Sequence, residues 1–241
     1  MFRHQGKTRT LSHNLKIASL LSFIAGMVNV AGFFSVQKLT TNVTGHFAFF
    51  IDEVFKLNIS QSIVYFLYIL FFFAGSFVSN FIAEIVAKKN ERYIYSVPAS
   101  IECILLLVLG IFGMYFTTKS PNVIAFSLLF AMGLQNSLVT TISNAEVRTT
   151  HLTGLFTDLG IELSQLFFYK EISQKEKLTA SIKLRFTIIS FFFFGGIFGG
   201  ICYSYFQLES LIIAAILLIA GLIYDTLKFK VILLKRKLKN N

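Results

Sequence analysis

The chain has 241 residues, of which 55% are hydrophobic and only 14% charged, with 29 Phe and no Trp. An ordinary soluble domain is about one quarter charged, so composition excludes a water-soluble globular protein and leaves an integral membrane protein. The net charge of +10 finds its explanation in topology, and nucleic acid is not an expected partner.

The N-terminal stretch "MFRHQGKTRTLSHNLKIASLL" places positive charge ahead of an apolar run, as a signal peptide does. That run continues to about Phe34 without a small-residue cleavage site, so it reads as a retained first span, preceded by a tail over residues 1–14. A bilayer crossing takes roughly 20 mainly apolar residues. Six segments qualify, about Leu15 to Val36, Ser62 to Ala87, Tyr93 to Phe116, Val123 to Ser143, Leu184 to Tyr205 and Leu208 to Leu227. Residues 37–60 and 144–181 are left over as polar or amphipathic stretches.

Lys and Arg gather at Arg3, Lys7, Arg9 and Lys16, at Lys88, Lys89 and Arg92, from Lys170 to Arg185, and in the tail 228–241; these clusters hold 18 of the 22. Six spans put all four clusters and both termini on one side, which the positive-inside rule makes cytoplasmic. The expected location is the bacterial inner membrane. Cys103 and Cys202 fall within apolar runs and read as small buried hydrophobes, not as a disulfide or metal framework. "NVT" and "NIS" match a glycosylation acceptor, but nothing else argues for a secretory context.

The chain also repeats itself. "FIAGMVN" (23–29) aligns with "FAMGLQN" (130–136), "TTNVTGHF" (40–47) with "TTHLTGLF" (149–156), and "FFFAGSF" (71–77) with "FFFGGIF" (192–198), all in the same order. The units are residues 15–117 and 121–227. Each holds three spans, and an odd number of crossings turns the second copy upside down. The expected fold is therefore an all-α polytopic membrane protein of six helices in an inverted 3+3 repeat, each half carrying a broken or re-entrant helix at its TTxxTG motif. Inverted repeats recur in secondary transporters, with the substrate site where discontinuous helices of the two halves meet.

Non-helical backbone at membrane depth has to be buried in protein or line a water-filled cavity. The reading makes Thr44 and Thr153 the N-caps of two short helices, with His46 in the first turn of one and Asp158 and Glu162 on one face of the other. Opposed helix N-termini favour an anion, or the anionic end of a zwitterion. The candidate substrate site is Asn29, Thr40, Thr41, Asn42, Thr44, Gly45 and His46, facing Gln135, Asn136, Arg148, Thr149, Thr150, His151, Thr153, Gly154 and Asp158, with the two TG pairs around one cavity. Thr and Gly also serve plain close packing, and Asn29, Gln135 and Asn136 also serve as bonds between helices. Glu102, deep in a span, is a functional candidate or half of an ion pair, and Arg148 is expected to be held by a carboxylate, most simply Asp158 or Glu102. Glu102, Asp158 and His46 are the candidates for proton or ion coupling. Two histidines without a ligand spacing argue for no metal, and no cofactor is implied.

"AMGLQNSLV" followed by "VRTTHLTGLFTDLG", with "AGMVNVAGF" and "NVTGH" in the first half, resembles the YoaK/DUF1275 family of bacterial integral membrane proteins over nearly the whole chain. The resemblance implies an inner-membrane protein and no substrate. It also implies Asp where this chain has Asn29 and Asn where it has His46; if that acid carries protons in relatives, the carrier is lost here or its task has moved to Asp158, Glu102 or His46.

The leading expectation is a secondary transporter or permease for a small polar or anionic solute. The rival is a non-transporting membrane scaffold or lipid-interacting protein, which the shortage of large soluble loops disfavours. No nucleophile and base at a known spacing points to an enzyme, and no Walker A sequence supplies nucleotide energy. The expected partners are the bilayer, a small-molecule or ion substrate and, in a homo-oligomer, further copies of the chain. Reporter fusions test the topology: one at Asn241 should report the cytoplasm and one within residues 117–122 the opposite side, and a C-terminus on the far side would remove the inverted arrangement.

Overall fold

The computed structural model describes residues 10–90 and 93–239, with side chains through Leu227. Arg3, Lys7, Arg9, Arg92 and the side chains of the basic tail lie outside the described residues. What is described is all-helical: α1 (Leu11–Val36), α2 (Val43–Phe55), α3 (Ile59–Lys89), α4 (Ser96–Lys119), α5 (Pro121–Ser143), α6 (Leu152–Gln165), α7 (Ile172–Phe206) and α8 (Ser210–Lys239), with a 3₁₀ turn over Gln207–Glu209. Among the described residues, five stretches are long and apolar enough to cross a membrane. The fifth, Ile172–Leu227, runs through α7, the 3₁₀ turn and α8, and Gln207 in the left-handed region (φ 49°) divides its two arms.

Side chains explain several helix ends. Thr10 opens α1 with its hydroxyl 2.9 Å from His13 Nδ1, and Pro121 opens α5 where its missing N–H costs nothing. Gln37 and Asn144 end α1 and α5 with positive φ of 53° and 58°, each sending the chain back toward the interior. Asn58 caps α3 through its side-chain oxygen and the Gln61 amide.

α1 and α5 are the central helices, with 61% of the apolar stretch buried in each against 22% in α3. Around them the contacts follow a two-fold pattern. α1 packs on α7 as α5 packs on α3, α4 on α5 as α8 on α1, and α2 on α3 as α6 on α7, while α1 meets α5 and α4 meets α8. Exchanging the first four helices for the last four reproduces the same pairs.

Glycine sets the two main crossings. A Cβ on Gly26 would lie 2.1 Å from Phe192 O and one on Gly195 2.0 Å from Phe23 O; at the other crossing, a Cβ on Gly133 would lie 2.1 Å from Phe72 O and one on Gly75 2.1 Å from Phe130 O. Each helix thus offers a glycine to the other's carbonyl, the close approach that small residues permit between membrane helices. These contacts equate Gly75 with Gly195, which shifts the third sequence match by one residue. A run of phenylalanines aligns equally well either way, and the packing decides the register.

The outer faces of α3, α4, α7 and α8 expose Phe73, Phe77, Phe81, Ile111, Phe112, Phe193, Phe194, Ile201, Ile216 and Ile223. In water this would be an aggregation surface; it suits lipid. Substituting Gly133 or Gly195 by Ala should cost about 1–3 kcal/mol or more through overpacking, read as a lower melting temperature in detergent. Gly160, whose added Cβ meets nothing within 4 Å, is the control, and its replacement by Ala should stabilise α6 by up to about 1 kcal/mol.

Candidate functional site

After Asn144 the chain runs back along α5, and two amides hold it there. Gln135 Nε2 donates to Leu21 O (2.8 Å) and to Thr149 Oγ1 (3.2 Å), while Asn136 Nδ2 donates to Thr150 Oγ1 (2.7 Å). Ser143 Oγ accepts from the Val147 amide at 2.9 Å. Asn136 is seven residues from the end of α5, so α6 begins about 10 Å back along that helix. The first half repeats the clasp: Thr41 Oγ1 donates to Asn29 Oδ1 at 2.7 Å, and Asn29 is seven residues from the end of α1. Asn29 and Asn136, matched in the repeat, do the same work of holding an extended segment against a helix.

Each segment then starts a helix, but two residues earlier than expected. The N-caps are Asn42 and His151, not Thr44 and Thr153. Asn42 Oδ1 accepts from the Gly45 amide at 3.0 Å; a side-chain amide oxygen three residues upstream serves this amide, so Thr44 is left exposed. At α6 no side chain caps the first turn, and a Cβ on Gly154 would lie 2.2 Å from His151 Nε2, so the imidazole folds over the glycine.

A polar cavity of about 810 Å³ opens at the first turns of α6. Its lining includes Asn14 at the start of α1, Glu146 and Arg148 from the returning segment, His151, Gly154 and Asp158 of α6, and Lys177, Ser181 and Arg185 of α7. The acid pair expected on one face of α6 does share a partner. Arg185 Nη1 lies 3.1 Å from Asp158 Oδ2 and its Nε donates to Glu162 Oε2 at 2.8 Å, with Ser181 Oγ donating to Glu162 Oε1. Asn14 donates to Glu146 across the mouth. Arg148 and Lys177 form no ion pair among the described residues. The cavity therefore offers two uncommitted cations near the amides of a helix start, a setting for negative charge, together with the Glu146 carboxylate.

Three expectations need correction. Arg148 is exposed to the cavity and is held by neither Asp158 nor Glu102: Asp158 is taken by Arg185, and Glu102 is fully buried in α4 with both oxygens lacking a hydrogen-bond partner among the described residues. The two TG pairs do not share a cavity, because Gly154 lines this one and Gly45 does not. Gln135 reaches Leu21 O, eight residues before Asn29 on α1, so the two clasps sit about 12 Å apart in depth. Lastly, Asn29, Thr40, Thr41, Asn42, Thr44 and His46 stand outside the cavity, as do Gln135, Asn136, Thr149, Thr150 and Thr153; the clasp residues among them support a chain reversal.

The first-half segment is packed shut. Thr40 and His46 are 0% and 1% exposed. His46 Nε2 is 2.6 Å from Leu39 O, and its ring packs on Tyr68 and Tyr65 at 4.8 and 6.1 Å. At the far end of α2, Asp52 bonds Lys56 at 2.5 Å and, with Glu53 close by, raises the ammonium's pKa above its ordinary value.

Sequence reasoning missed Asn14, Glu146, Lys177, Ser181 and Arg185. Arg185 had a usable signal, since two acids four residues apart on one helix face ask for a cation, but which of the basic cluster answers depends on how α7 packs. Replacing Arg185 by Met should leave Glu162 part-buried without its charged partner and cost about 1.5–3 kcal/mol locally. Hydrogen exchange should then quicken in α6 and not in α2.

A protein-family model described as "Protein of unknown function (DUF1275)" matches residues 17–224. No curated protein and no solved structure matches.

Proposed function

The chain belongs to the DUF1275 family, and we propose that it is a secondary transporter or permease for a small anionic or zwitterionic solute. One observation carries the reading: a cavity lined by Arg148, His151, Asp158, Lys177 and Arg185 inside a chain whose outer faces are phenylalanine, leucine and isoleucine. Charged groups at such a place are expensive to keep unless they serve a function. A scaffold would leave this cavity without a role.

The architecture we propose is six crossings in two inverted units, α1 to α4 and α5 to α8, with α7 and α8 as separate spans joined at Gln207. The two-fold set of helix contacts, the paired clasps at Asn29 and Asn136, and the left-handed ends at Gln37 and Asn144 support it. α2 and α6 are then the re-entrant pieces. With both termini in the cytoplasm, the cavity opens to the cytoplasm, because Leu11 and Asn14 at the start of α1 stand at its mouth. A solute carboxylate or phosphate would lie by Arg148 and the first amides of α6, and an ammonium group, where present, by Glu146.

Glu102 is the proposed coupling group. Ionised at its present position it would carry a buried charge with no hydrogen-bond partner, so moving its proton has to accompany movement of another charge or of the helices around it. That linkage is what coupling to an ion gradient requires.

Purified protein in lipid nanodiscs, screened by thermal shift against small carboxylates, amino acids and phosphate esters, tests the cavity. At least one class should stabilise the protein, and Arg148→Ala should weaken that binding by about tenfold or more, the value of a charged hydrogen bond, while Lys119→Ala should not. In proteoliposomes Glu102→Gln should remove the pH dependence of uptake and keep binding. Failure of every class to bind, or binding indifferent to Arg148→Ala and Lys177→Ala together, would overturn the proposal.

A further inference from the structure

The two halves are alike in backbone and unlike in what they put beside the re-entrant helix. By the register of the TTxxTG motifs and of the glycine crossings, Asp158 corresponds to Phe49, Leu155 to His46, Arg185 to Tyr65 and Ile188 to Tyr68. Where the second half has the Asp158–Arg185 ion pair at 3.1 Å, the first stacks Phe49 on Tyr65 with centroids 5.3 Å apart. Glu162, which holds Arg185, corresponds to Glu53, which turns instead to Lys56 and Asn58.

The first-half counterpart of the cavity is filled by that aromatic group. His46 packs on Tyr68, Tyr68 on Phe126 of α5 at 5.1 Å, and the Tyr68 hydroxyl donates to Asn122 Oδ1 at 2.5 Å. Lys38 lies over the Tyr65 ring and donates to its hydroxyl at 3.2 Å. Beneath this group two polar atoms are buried without partners among the described residues, Thr40 Oγ1 and His46 Nδ1. Thr40 is the equivalent of Thr149, whose hydroxyl is served by Gln135; the residue in place of Gln135 is Val28, which has nothing to donate. A fold built only for packing would have little reason to keep a bare hydroxyl and a bare imidazole nitrogen there.

We propose that this segment is a second solute-access site, opening on the face opposite the cavity and held shut in this conformation by His46, Tyr65 and Tyr68. The inference rests on the transporter reading and extends it: the same small anionic or zwitterionic solute that enters beside Arg148 leaves past Thr40, His46 and Lys38. Lys38 is the one cation among these residues, and Thr40 and His46 supply hydrogen bonds once the rings part. Access on one side and closure on the other then follow from two chemically different seals on one backbone plan, an ion pair that water can enter and an aromatic stack that it cannot.

Single cysteines introduced into the full chain, with Cys103 and Cys202 replaced by Ala, test this in membrane vesicles of both orientations with a membrane-impermeant maleimide. Ala180→Cys, in the cavity lining, should react from one face. Thr40→Cys should react only from the other and slowly, and Tyr65→Ala should speed it about tenfold or more by populating the open state. Because Tyr65→Ala removes buried contacts, Phe49→Ala serves as a second way to loosen the seal, with monodispersity checked for both. Thr40→Cys unreactive from the far face in both loosened variants, or reactive only from the face that reaches Ala180→Cys, would overturn the inference. Ala180→Cys unreactive from either face would instead overturn the cavity reading on which it rests.

Discussion

The structure depends on backbone meeting backbone at two helix crossings. At each, a glycine on one helix receives a carbonyl of the other and the exchange is reciprocal, Gly26 with Phe192 and Gly195 with Phe23, Gly133 with Phe72 and Gly75 with Phe130. In a bilayer apolar side chains gain little by leaving lipid for protein, so close approach and the dispersion contacts that it brings hold helices together. Both crossings join the first half of the chain to the second. Neither half therefore has a complete core alone, and α1 and α5 become central because each is gripped by a long helix from the other half.

That grip places everything else. Once α1 and α5 are fixed side by side, the left-handed residues Gln37 and Asn144 at their ends turn the chain inward, and the asparagines seven residues back catch it. The short helices α2 and α6 are positioned by these catches and by the long helices they rest on. The cavity is the space left between α6, α7 and the start of α1, and its shape follows from the crossing of α1 with α7.

Much of this was legible in the sequence because the bilayer imposes a length and an apolarity that can be counted. The expected apolar segments fall on the five stretches long enough to cross a membrane among the described residues, the last two sharing the stretch of α7 and α8, and the expected short helices fall on α2 and α6. Helix starts were less legible: "TTNVTG" offers an asparagine and a threonine as caps, and only the fold shows that Asn42 reaches the Gly45 amide. The phenylalanine runs hid a one-residue register, which the carbonyl contacts of Gly75 and Gly195 resolve. The site was half legible. Asp158 asked for a cation, but Arg185 answers instead of the expected Arg148, and the shared TTxxTG letters suggested two segments meeting around one cavity. The divergence lies outside the motif, where Phe49 and Asp158, or Tyr65 and Arg185, occupy equivalent places. Nothing local to the motif reports it.

The interlocking of the halves also bears on how such a chain is made. α1 is synthesised early, but its main partner α7 begins only at Ile172, so at ordinary translation rates α1 waits on the order of ten seconds. Its face toward α7 is suited to waiting, since Phe23, Gly26, Met27 and Val30 expose no charge and no side-chain hydrogen bond to lipid. Among the polar residues of α1, Asn29 meets Thr41 within the first half and Asn14 meets Glu146 just beyond α5, and both partners arrive sooner than α7. Assembly in the membrane is thus ordered by chemistry: these polar groups are covered first, and the bare glycine face is left for α7 to close.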